Sequence, residues 1–172
     1  MANCILTEGI ALECLDSTGG VKNVYIGAYS DDTTFSFDTD ESIDTITSTE
    51  TFYQFKFRPQ TAAFNEELTK SLENGTTFYT QTLSMIFHKI DAAKRNNMLL
   101  LAGASLHVIV ETQNGDYWLM GLANGADVSA NTSGVGQAYG DLNGYNITIT
   151  GLEPVLAHEV SQSAFDSITV AP

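Results

Sequence analysis

The sequence predicts a mainly β chain: a β-sandwich or barrel-like single domain over residues 1–172, with one long β-hairpin and one flanking α-helix. Three observations carry this. Two stretches, Thr51–Arg58 and Thr77–Ile90, alternate apolar and polar side chains at the period of a strand. Turn signals of the Asn-Gly type stand at Asn74-Gly75 and Asn114-Gly115. Helical periodicity is confined to one segment after Asp91. With 172 residues, 43% of them hydrophobic, the chain has the length and apolar content for one domain with a real core.

In order along the chain, residues 1–22 read as an N-terminal arm, and Val24–Tyr29 and Thr34–Phe37 read as short strands. In Thr51–Arg58, Tyr53, Phe55 and Phe57 point one way and Gln54, Lys56 and Arg58 the other. In Thr77–Ile90, Leu83, Met85 and Phe87 share a face opposite Thr82, Ser84 and His88. These two stretches are expected to be the arms of one hairpin, with Pro59–Thr76 as the loop between them. At about 3.3 Å per residue the second arm reaches roughly 45 Å, so the ribbon must extend past its own core.

Asp91 is placed to cap a helix running to about Ala102, with Gly103 as its stop and Ile90, Ala93, Met98 and Leu101 on its apolar side. Ser105–Thr112 and Tyr117–Leu122 form a second hairpin around Asn114-Gly115, where glycine accepts the positive φ of a tight turn. The Gly-, Ser- and Asn-rich segment 123–140 reads as a surface loop. Tyr145–Gly151 alternates again as a strand, ended or edged by Pro154.

Charge narrows the function. Seven Lys and Arg face 21 Asp and Glu, a net charge of −14, and such a surface repels phosphate and anionic lipid alike. The acids are concentrated in two base-free blocks of seven, Asn23–Phe55 and Asn96–Pro172. Between them, Lys56–Arg95 holds six bases against four acids, a local net of +2. Solvated faces account for this pattern; so does contact between copies, basic middle against acidic flank. The longest strongly apolar run, Met98–Ala102, falls far short of the roughly 20 residues of a membrane helix. Glu8 and Glu13 inside the first apolar stretch do not suit a signal peptide, so a cytoplasmic site of synthesis is expected, with Cys4 and Cys14 as free thiols.

No arrangement of residues points to catalysis, a metal or a cofactor. His88, His107 and His158 are far apart and in no metal-binding spacing. Gly103-Ala104-Ser105-Leu106-His107 lacks the second glycine of a nucleophile elbow, Gly134–Gly140 lacks dinucleotide spacing, and Asp38-Thr39-Asp40-Glu41 lacks the glycine and terminal Glu of a calcium loop. Trp118 and Tyr117 suit a sugar-binding face as readily as a core, so a carbohydrate-binding β-sandwich module is an alternative.

Several stretches, taken in their order, resemble tail tube (major tail) proteins of tailed bacteriophages. They are Phe55-Lys56-Phe57-Arg58, Asn74-Gly75-Thr76-Thr77-Phe78-Tyr79-Thr80-Gln81-Thr82-Leu83, and Phe87-His88-Lys89-Ile90-Asp91 with Arg95. Val108-Ile109-Val110-Glu111, Asn114–Gly121 and Asp141–Tyr145 continue the likeness, which covers roughly Phe52 to Pro154.

The resemblance implies a virion structural protein, assembled in the host cytoplasm into hexameric rings stacked as a tube. Tape measure and tail terminator proteins would be its partners, and genomic DNA would pass through the lumen without specific binding. No catalysis, cofactor or membrane is implied. Carried onto this chain, the inter-subunit barrel strands hold Phe55, Lys56, Phe57, Arg58, Tyr79, Gln81, Leu83, Met85 and Phe87. Gln54, Thr80, Thr82 and Ser84 are candidates for the lumen, as are Glu66, Glu67 and Glu73 beside the hairpin turn. Pro59–Thr76 would reach toward the adjacent ring. The inner tube of a contractile injection system, with a related subunit fold, is the nearer alternative.

Overall fold

Twelve strands and two helices are present in the computed structural model, which describes residues 9, 10, 12 and 15–172. The strands are β1 (Val21–Ala28), β2 (Thr34–Phe37), β3 (Ile43–Thr47), β4 (Thr51–Phe55), β5 (Ala62–Ser71), β6 (Thr76–His88), β7 (Leu106–Thr112), β8 (Tyr117–Met120), β9 (Ala126–Gly134), β10 (Gly144–Glu153), β11 (His158–Val160) and β12 (Thr169–Ala171). Helix α1 spans Ala92–Leu101 and α2 spans Gln162–Ser167. The mainly β class is as the sequence predicts, with a second helix that the sequence did not signal. Cys4 and Cys14 lie outside the described residues, and β1 begins inside the segment expected to be an arm.

The strands form two layers. One is the four-stranded antiparallel sheet β5-β6-β10-β9. The other runs β12-β4-β1-β7-β8-β11-β3-β2, with parallel pairing at β12/β4 and β11/β3. A single pair, Leu106 with Ala126, joins the layers at a corner. Gly121 makes that corner possible: its φ is +77°, and a Cβ there would fall 2.8 Å from the Ala126 nitrogen and 2.9 Å from the Leu106 oxygen.

Strand β7 is buried on both faces, which explains its unbroken apolar run. Leu106, Val108 and Val110 point into the core between the layers, where they meet Leu83, Met85, Ile147 and Ile149. Ile109 points the other way, into a second core closed by β3 and α2 through Ile43, Ile46 and Ala164. Helix α1 closes the β6 end of the first core with Met98; Asp91 caps it by accepting the Lys94 amide at 2.9 Å.

The predicted hairpin exists, but with a different first arm. Strand β4 pairs with β1 and β12, and β6 pairs with β5, which occupies the segment expected as a loop. The chain changes layer at Arg58–Thr61, where Gln60 has φ +66° and Thr61 donates both its amide and its hydroxyl to the Arg58 carbonyl. Segment 123–140 needs a similar correction: Ala126–Gly134 is strand β9, paired along β10 with a bulge that accommodates Ser129. The second hairpin is as predicted, with Gly115 at φ +99°.

Candidate assembly surface

The four-stranded sheet sorts its side chains by strand alternation. On β6, Gln81, Leu83, Met85 and Phe87 face the core and are buried, with Tyr79 half-buried on the same side. Thr80, Thr82 and Ser84 face outward. Directly opposite them lie Glu67, Asn65 and Ala63 on β5, and Leu152, Thr150 and Thr148 on β10. Strand β9 extends this face with Asp127, Ala130 and Thr132, and the Ser129 hydroxyl lies 2.8 Å from that of Thr150. Small polar side chains and two carboxylates, Glu67 and Asp127, thus make most of the outer wall, with Ala63, Ala130 and the exposed Leu152 among them. Among the described residues no Lys or Arg stands on these positions.

The other predicted site residues are placed elsewhere. Phe55 and Phe57 pack on Phe87 from the second layer, with ring centroids 6.0 and 6.3 Å away, while Lys56 and Arg58 beside them are exposed. Gln54 also belongs to the second layer, where its amide donates to the Tyr25 hydroxyl at 3.3 Å, so it does not join the Thr80–Thr82–Ser84 wall. Glu66 faces inward: its Oε1 accepts from Gln81 Nε2 at 3.2 Å and from the Ala157 amide at 2.7 Å. Glu73 sits in the turn at the hairpin tip. Of the three acids considered for the lumen, Glu67 alone lies on the outer wall.

Among the described residues, both margins of this sheet are open. Strand β5 is hydrogen-bonded to β6 on one side, and β9 to β10 on one side apart from its corner pair with β7. Strand β6, whose residues the resemblance assigns to an inter-subunit strand, is an inner strand of the subunit's own sheet: β5 covers Thr76–Met85 and β10 covers Tyr79–His88. Unpaired strand edges invite a further strand, and a natural protein either covers them or uses them. No family model, characterised protein or solved structure matches the chain.

The tip of the hairpin projects beyond its support. Strand β10 ends opposite Tyr79, so Thr69–Phe78 is a two-stranded ribbon with Leu68 and Leu72 exposed. Near it, a cleft of about 500 Å³ is lined by Tyr79, Trp118 and His158 with Asp40, Glu41 and Glu159. Tyr117, paired with Trp118 in the sugar-binding alternative, is turned into the second core and stacks on Phe165 at 4.2 Å. One aromatic side chain of that pair is left for a ligand.

Two buried ionisable groups stabilise or strain the layer behind the wall. Burial alone pushes the Glu111 carboxyl up, but hydrogen bonds from Lys22, Asn23 and Tyr25, at 2.6, 2.7 and 3.0 Å, outweigh it and hold Glu111 below its ordinary value. Tyr25 is correspondingly pushed up to about 12, first by burial and then by its bond to Glu111. His107 is 1% exposed between the rings of Tyr29 and Phe35, and burial lowers it to about 4. Neither ring nitrogen has a hydrogen-bond partner among the described residues.

Proposed function

We propose that this chain is a structural subunit of a phage tail tube, closing into hexameric rings that stack into a conduit for DNA ejection. One observation carries the reading: among the described residues, the β5-β6-β10-β9 sheet combines two open edges with a mostly polar, base-free outer wall. The edges are different strands of similar length, β5 with 10 residues and β9 with 9. Pairing β5 of one copy with β9 of the next is therefore a head-to-tail contact, which removes every edge when the rotation closes. The sequence resemblance supplies the ring number of six.

In such a ring the outer wall of each sheet turns toward the axis and the apolar core toward the outside layer. Thr80, Thr82, Ser84, Thr148 and Thr150 then line the lumen with Glu67 and Asp127. A lumen without cations gives DNA phosphates no partner, and its negative field keeps the duplex sliding, over a range of about 8 Å at physiological salt. The reading assigns the chain no catalytic step and no cofactor.

Electron microscopy of the purified protein, alone and mixed with tail-tip components, tests this. Rings or tubes with a central channel are expected. A folded chain that stays monomeric under both conditions overturns the reading.

A further inference from the structure

Strand β2 is an outer strand of the second layer, and among the described residues its backbone ladder is with β3 alone. Its residues are exposed except Phe35, which is half-buried. Two aromatic side chains seat it, and each rests on a histidine: Phe35 on His107, with ring centroids 5.5 Å apart, and Phe37 on His158, 5.1 Å apart. Strand β3 is fixed independently. It pairs with β11, the Ser161 amide donates to the Ile43 carbonyl at 2.9 Å, and the Ser167 hydroxyl donates to the Ile46 carbonyl at 3.0 Å. Strand β2 can therefore leave while β3 stays.

The two histidines differ in what a proton does to them. His158 Nδ1 lies 2.7 Å from the Glu41 carbonyl oxygen, which only accepts, so Nδ1 is the donor and a second proton on Nε2 leaves that bond in place. The β2–β3 turn thus keeps its anchor in acid. His107 is buried with neither ring nitrogen partnered among the described residues, so its imidazolium has nothing beside it to donate to. A cation–π contact with the flanking rings offsets only part of the cost of taking an ion out of water. One of those rings is firmly held: the Tyr29 amide donates to the Ser105 carbonyl and the Tyr29 hydroxyl to the Ala123 carbonyl, each at 2.8 Å. The other ring is Phe35, on the lightly held strand.

Few titratable groups surround His107. The turn after β1 carries Tyr29 and the exposed Asp31 and Asp32, β3 carries the exposed Asp44, and β2 and Gly121–Gly125 carry none. On its own strand Glu111 is bound to Lys22, Asn23 and Tyr25, and Glu153 accepts the Ala123 and Asn124 amides. None of these carboxylates is hydrogen-bonded to the ring.

We propose that protonation of His107 releases strand β2 from the body of the subunit, uncovering the edge of β3 while the rest of the fold stays in place. The imidazolium reaches water by displacing Phe35, and β2 peels from β3 toward the turn that His158 retains. Strand β2 is then a cover that acid removes, and the β3 backbone beneath it becomes an unpaired edge. The device is a property of one subunit and does not depend on the tube reading.

Amide hydrogen exchange of the full chain at neutral pH and about two units lower tests this, each rate divided by that of the same segment in an unfolded peptide. With His107 moving from about 4 when covered to 6.5 when free, protection of Thr34–Phe37 is expected to fall roughly twentyfold, while β7 and β4 keep theirs. His107→Phe is expected to abolish the fall. An equal loss in β2 and β7, or the same loss in His107→Phe, overturns the proposal. A second measurement leaves His107 in place. Ser36 and Thr45 are exposed cross-strand partners on β2 and β3. In a Cys4→Ser, Cys14→Ser background, Ser36→Cys with Thr45→Cys is oxidised to lock β2 down, and the His107 ring is titrated by NMR. Its midpoint is expected to be lower in the locked protein than after reduction. Equal midpoints in the two forms overturn the release of β2.

Discussion

Gln81 and Glu66 face each other across the β5–β6 pair, and the Gln81 side-chain amide donates to the Glu66 carboxylate at 3.2 Å. The carbonyl oxygen of the same Gln81 side chain accepts the Gly121 amide at 3.1 Å, and Glu66 also accepts the Ala157 amide. Two side chains thus tie the wall sheet to the corner after β8 and to the segment after β10. Gln81→Leu keeps the volume but strands the Gly121 amide and half of the Glu66 partners. Leaving buried polar groups unpaired costs about 1–3 kcal/mol. A lower urea midpoint with an unchanged slope is the expected result for the unassembled variant; an unchanged midpoint removes the bridge from the account.

His107 predicts an acid-sensitive fold. Its folded value is depressed to about 4 from the ordinary 6.5, so between these the unfolded chain binds a proton that the folded chain does not. Stability therefore falls as pH drops from 6.5 to 4, by up to roughly 3 kcal/mol. Glu111, also depressed, adds a lower window: its contribution is complete above the ordinary 4.5 and is lost as pH falls through its folded value. Melting curves collected across this range should show His107→Phe flattening the slope between 6.5 and 4 and leaving the more acidic loss in place. Equal slopes in both proteins rule out His107 as the source.

The edge strands offer a test of ring closure that β6 does not. Thr82 has a strand on either side, so Thr82→Pro breaks a ladder inside the subunit and lowers stability whatever the assembly state. Along β9, alternate amides point toward β10 and away from it. Of Asn131→Pro and Thr132→Pro, one removes an amide that β10 uses and the other an amide on the open side. The second is expected to melt like wild type yet fail to form rings. If both variants assemble normally, β9 is not the closing edge.

What the sequence revealed of this fold was what neighbouring residues determine. The Asp91 cap, the Asn114-Gly115 turn, the inward row Leu83, Met85, Phe87 and the alternation of β10 depend on positions a few residues apart, and all are present. The identity of the strand beside β6 depends on distant pairing. Strand β5 is masked because its inward row, Ala62, Phe64, Glu66 and Leu68, contains a carboxylate that only Gln81 and the Ala157 amide make tolerable. Strand β9 is built of small polar residues that read as a loop and become a strand through the ladder to β10. Gln54 and Glu66 consequently lie off the face that holds Thr80, Thr82 and Ser84, whose common side follows from the alternation of their own strand.

The wall's lack of cations yields the last prediction. Thr82 lies at the middle of the sheet, paired with Asn65 and Thr150, so a lysine there projects from the wall without entering the core. In a closed tube each ring then presents a circle of ammonium groups to the lumen. Phosphate binding by such groups releases counterions and weakens steeply with salt. Tubes of Thr82→Lys are expected to retain duplex DNA in co-sedimentation at low salt and release it at high salt, while wild-type tubes retain none at either. The same lysine at Thr69, outward on the ribbon tip beyond the supported sheet, should retain far less. Equal retention by the two variants would place the Thr82 face outside the lumen and leave the acidic wall without its assigned role.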